Sequence, residues 1–127
     1  MGWDNNVFYN GHYSVGINNS LIYENYTCNN WGQSIGEIPI GRTLKLSGWI
    51  KTIESEDVLM TIQCLDKEWN FVGFGTTETT NKINGTNDWR MYNASVFVPL
   101  NTKLIVVRLS LCGIGKVWFD DVKLIVK

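Results

Sequence analysis

Helical periodicity is missing from this chain of 127 residues. No stretch keeps apolar side chains at i, i+3, i+4 and i+7, which argues against a helical bundle or an α/β architecture. Proline occurs twice and histidine once. A Ser-His-Asp or Cys-His hydrolase would have to use that lone His12, and the surrounding NGHYS carries no supporting motif. His12 therefore reads as a surface turn residue. Cys28, Cys64 and Cys112 are odd in number and show no CxxC spacing. That disfavours a zinc site and leaves one thiol over if a disulfide forms. Charge of one sign is also short: eleven basic residues face twelve acidic ones for a net −1. This removes the electrostatic footprint of a nucleic-acid binder and any polybasic membrane anchor. No apolar run reaches the roughly 18 residues of a membrane-spanning helix, so membrane insertion is not expected. The opening MGWDNN has neither the charged nor the apolar region of a signal peptide. Either the protein is cytosolic or it is a module excised from a larger exported chain, and the second is the expectation.

What is present is aromatic and β-like. Aromatic residues make up 13% of the chain, and Gly and Asn punctuate it at short intervals. Strands are expected over residues 13–17, 31–35, 43–52, 58–66, 71–76, 91–98, 104–111 and 117–126, separated by breakers at 18–20, 39–41, 54–57, 84–87 and 113–115. Without repeats, linkers or low-complexity tracts, residues 1–127 form a single all-β domain. Its expected architecture is a two-sheet antiparallel β-sandwich of the jelly-roll kind.

Alternation within the strands separates an inner from an outer face. In LKLSGWIKT (residues 44–52), Leu44, Leu46, Gly48 and Ile50 share one parity, while Trp49 stands on the other with Lys45, Ser47 and Lys51. A tryptophan among lysines is a candidate platform for a flat apolar ligand, unless a loop covers it. In residues 58–66 the inner set is Val58, Met60, Ile62 and Cys64, and the outer set holds Thr61 and Gln63. Cys64 reads as a small buried hydrophobe. In residues 104–112 the outer set holds Arg108, a lone cation among aliphatics. Phe97 also has outward parity. Trp31, Trp89 and Trp118 are expected to pack in the core.

Five pieces of the chain, in order, carry a family resemblance: NGHYSVGI (10–17), LKLSGWIK (44–51), NDWRMYNASVFVP (87–99), KLIVVRLSLCG (103–113) and GIGKVWFDDVKLIV (113–126). Together they resemble the carbohydrate-binding modules grouped around families 4, 9, 16 and 22. The resemblance implies a β-jelly-roll that binds a polysaccharide or oligosaccharide in a groove without catalysis. It further implies an extracellular or cell-surface setting, covalent linkage to a larger parent chain such as a glycoside hydrolase, and a structural calcium. The family's usual first strand, with its acidic residue, has no counterpart before Trp3.

On that resemblance Trp49 is the stacking platform of the groove. Gln63, Arg108, Lys51 and Thr61 supply hydrogen bonds, and Trp69 walls the groove. Asp120, with backbone carbonyls of the turn that holds Asn10 and Ser14, is the candidate site for Ca2+. Its alternative is a carboxylate satisfied by turn N–H groups. Adjacent carboxylates on a strand point to opposite faces, so Asp120 and Asp121 make no glycosidase pair and no enzyme is expected. The competing expectation is a structural or protein-interaction sandwich of a surface or phage tail protein that binds no sugar.

Overall fold

A computed structural model describes residues 2–4, 14–19, 28–77 and 83–127, with the backbone alone at 2–4, 14, 15 and 19. His12 and Asn10 lie outside the described residues. The strands are β1 (Gly2–Asp4), β2 (Ser14–Asn19), β3 (Cys28–Ile35), β4 (Thr43–Leu65), β5 (Phe71–Thr76), β6 (Ile83–Phe97), β7 (Leu104–Cys112) and β8 (Gly115–Val126). All pairings are antiparallel.

β4, 23 residues long, belongs to both sheets. Its first half lies between β8 and β6, and the order β1-β2-β8 continues that sheet outward. Its second half lies between β7 and β5, with β3 beyond β7. The two halves enclose one core. Leu44, Leu46 and Ile50 from the first half meet Val58, Met60, Ile62 and Cys64 from the second, all buried. A Cβ added at Gly48 would lie 3.1 Å from Met60 Sδ, so the halves pack directly on each other. Ile105, Leu109, Leu111, Val117, Phe119, Tyr92 and Val96 complete the cluster. Each fully buried side chain of this kind stabilises by about 1.5–3 kcal/mol.

The hydrophilic run at residues 54–57 was expected to break the chain into two strands. It bends β4 instead, because neighbouring groups satisfy its backbone. Glu54 takes φ 45°. Its N–H donates to Thr86 Oγ1 at 3.0 Å, and Glu56 N–H donates to Ile114 O at 2.9 Å. Gly115, at φ 130°, lets β8 start against this bend, since a Cβ there would run into the Ser55 backbone. The expected breaker at 84–87 is likewise inside β6, where Gly85 pairs with Ser55. A short strand also precedes the first one expected: β1 pairs Trp3 with Val15.

Two tryptophans are not in the core. Register sets Trp118 opposite Lys51, on the outward side of the first sheet, and Trp89 precedes Arg90, which pairs with Ile50. Both are half-buried and outside the core cluster, whereas Trp31 packs against it and donates from Nε1 to Gly16 O at 3.4 Å. Parity, not aromatic size, decides the face. Of the cysteines, Cys28 and Cys112 stand opposite each other across β3 and β7 and form a disulfide, while Cys64 is a buried thiol.

Candidate functional site

The core parity of β4 is even in both halves, so its odd residues point away from the core on opposite sides of the sandwich. Trp49 and Lys51 are on the outer face of the first sheet; Thr61 and Gln63 are on the outer face of the second. The expected single groove of Trp49, Lys51, Thr61, Gln63 and Arg108 is thereby corrected. The bend at residues 53–57 folds one strand over the core, and equal parity then means opposite directions.

On the second sheet, register gathers a polar group. Arg108 of β7 is opposite Thr61 of β4 and Gly32 of β3, with Gln63 and Asn30 on the two diagonals. Its Nε donates to Gln63 Oε1 and its Nη1 to Asn30 Oδ1, each at 3.0 Å. The guanidinium is half-buried and held from both sides. Thr61 is buried beneath this group. A Cβ at Gly32 would lie 3.2 Å from Nη1, so the glycine gives the guanidinium room to lie across β3.

Aromatic rings border the polar group. Phe74 is opposite Gln63 and Phe71 is opposite Leu65, both on edge strand β5. Three positions apart, they would face opposite sides of a regular strand. A register shift between Cys64 and Leu65 puts both on the outer face, at 56% and 66% exposure, so both rings are available for stacking. Trp69 follows at the β4–β5 turn, 71% exposed with φ 67°. That turn is built on Asp66, whose Oδ1 accepts from the N–H of Asn70 (3.0 Å) and Glu68 (2.8 Å). These bonds, Asn70's first, hold the Asp66 carboxyl below the usual carboxylate range. From β3 to β5 the face spans about 14 Å, three inter-strand spacings, which is room for more than one sugar ring.

Phe71, Phe74, Asn30 and Gly32 were not expected from the sequence. FVGFGT shows two aromatics at a spacing that alternation assigns to opposite faces, and only the register shift reunites them. Asn29-Asn30 looks like turn composition, yet Cys28 begins the strand by pairing with Cys112.

The opposite face holds Trp49 opposite Met91 and Asp120, with Trp118 on the diagonal. Phe97 lies on this face too, opposite Thr43 and exposed. Asp120 is buried, and its Oδ1 accepts the Asp121 N–H at 2.7 Å. Asp121 sits at φ 50° in a bulge opposite Gly48, its Oδ2 3.6 Å from Lys123 Nζ. The β2–β8 register ends at Val15 and Phe119, one residue short of Ser14 and Asp120. No cluster of three or more His, Cys, Asp or Glu side chains occurs among the described residues.

No protein-family pattern and no curated protein matches the sequence. Solved structures do match. Bacteriophage CBA120 tailspike protein 4, in its enzymatically active domain, superposes with a TM-score of 0.74 at 18% identity, over 98% of this chain. The chain spans only 17% of that tailspike chain. A family 16 carbohydrate-binding module gives 0.68 at 14% identity, covering 97% of this chain and 83% of its own. A CBM4 structure gives 0.59 at 20% identity, covering 77% and 61%. The fold of this chain is the two-sheet antiparallel β-sandwich that these carbohydrate-binding modules share.

Proposed function

We propose that the chain is a non-catalytic carbohydrate-binding module that holds a glycan on the outer face of its second sheet. The observation that carries this is the joining of a fixed Arg108–Gln63–Asn30 group to the exposed rings of Phe74 and Phe71 on one face. Sugar hydroxyls need directed donors and acceptors, and the C–H patches of pyranose rings stack on exposed aromatics. Covalent attachment to a parent enzyme or surface protein would raise that parent's effective concentration on the glycan. The Cys28–Cys112 disulfide supports an oxidising, extracellular setting. Calcium at Asp120, with Asn10 and Ser14, is proposed on the family resemblance alone, and a melting temperature unchanged by excess chelator would count it out.

The test is a glycan array, followed by affinity electrophoresis on the hits. A ligand bound by the native chain and lost in Phe74→Ala supports the proposal. The tailspike similarity favours one other reading, a spacer in a phage tail or surface protein. Absence of binding across a broad panel would select it.

A further inference from the structure

Arg108 is half-buried, and neither of its hydrogen-bond partners carries a charge. Two ion pairs, Lys51–Asp88 and Lys123–Asp121, lie on the other sheet. Along this face the nearest described carboxylate by register is Asp57, opposite Cys112. It is four positions along β4 from Thr61, or about 13 Å. A partly desolvated cation with no counter-ion among the described residues is costly, which favours a partner supplied from outside.

The hydrogen bonds also set the polarity of the face. Both amide oxygens turn toward the guanidinium, so the NH2 groups of Gln63 and Asn30 turn away from it. Among the described residues these NH2 groups have no partner, and neither do Nη2 and the second N–H of Nη1. The open surface is therefore made of donors around one positive charge. Neutral sugar hydroxyls, which both donate and accept, use such a surface only in part; an anionic oxygen group uses all of it.

We infer that the glycan taken by this face carries an anionic substituent, a uronate carboxylate or a sulfate ester, seated on the unused N–H groups of Arg108. The inference rests on the sugar-binding proposal above and names the ligand class for that site.

The test is affinity electrophoresis of the intact chain against two matched pairs. One pair is polygalacturonate and its carboxyl-reduced neutral form; the other is a sulfated galactan and the same galactan desulfated. The expected result is binding to one anionic member at least about tenfold tighter than to its neutral partner, weakening as salt rises. Whichever pair shows the preference identifies the anion. Gln63→Glu would place a carboxylate beside Nε and is expected to remove the preference. Arg108→Lys, which keeps the charge but not the planar fork, should weaken anionic binding by about tenfold. Equal binding within both pairs overturns the inference and leaves the sugar-binding proposal standing. A preference that survives Gln63→Glu in a protein with native near-UV circular dichroism also overturns it. Retardation by no glycan, with the fold intact, overturns the sugar-binding proposal and this inference with it.

Discussion

Arg108 Nε and Gln63 Oε1 lie 3.0 Å apart across two neighbouring strands, and the bond decides which end of the Gln63 amide faces outward. Asn30 repeats the arrangement from the other side. Two neutral amides thus hold a cation in one orientation before any ligand arrives. Ordering a long side chain on binding costs about 0.5–1.5 kcal/mol, and this face has already met that cost for Arg108.

Gln63→Ala should therefore weaken glycan binding about three- to tenfold, through a lost donor and a loosened guanidinium. The fold should not change, because the side chain is outside the core. Titration calorimetry with the best array ligand measures the loss, and an unchanged affinity would separate Gln63 from the site.

Phe74→Ala and Trp49→Ala divide the two faces of the sandwich. Phe74 is 56% exposed beside Gln63, and its removal should lower affinity by about tenfold, the scale of one aromatic stacking contact. Trp49 lies on the opposite sheet, so its substitution should leave affinity within about twofold. The reverse pattern would move the site to the first sheet.

Much of this was legible in the sequence. The inner and outer sets of residues 44–52 and 58–64 fall as alternation assigns them, because one side of each strand is buried and a slip of one residue would expose it. Arg108 and Gln63 followed from the same rule. The relation between the two halves of β4 was not legible. A bend stabilised by Thr86, Gly85 and Ile114, all distant in sequence, looks locally like a loop. That error joined Trp49 to Gln63 on paper, although the core lies between their sheets. Phe71 and Phe74 were missed for a related reason: a bulge adds one residue to one strand and reverses the parity beyond it.

Core and surface substitutions should differ sharply. Met60 is fully buried between the halves of β4 and packs where Gly48 leaves space. Met60→Ala should cost about 2–5 kcal/mol and lower the melting temperature by on the order of 10 °C. Phe97→Ala, at a ring 62% exposed on the edge strand, should cost within about 0.5 kcal/mol. Thermal melts followed by near-UV circular dichroism compare the two.

Thiol chemistry tests the packing of β3 and β4 together. The native chain should show no reactive thiol, the denatured chain one, from Cys64, and the denatured and reduced chain three. Burial pushes the Cys64 thiol above its ordinary value. Below the thiol pKa of the unfolded chain, about 8.5, both states keep the proton and Cys64 adds no pH slope. Above it the unfolded state ionises first, so stability should fall as pH climbs toward the folded-state value. Cys64→Ala should flatten that alkaline slope while leaving a smaller side chain in the core. Reduction acts separately: opening a disulfide that joins residues 84 apart in sequence should cost about 2–4 kcal/mol. A native protein that reacts at Cys64 as fast as the denatured one would contradict the packing of the second half of β4 against the core.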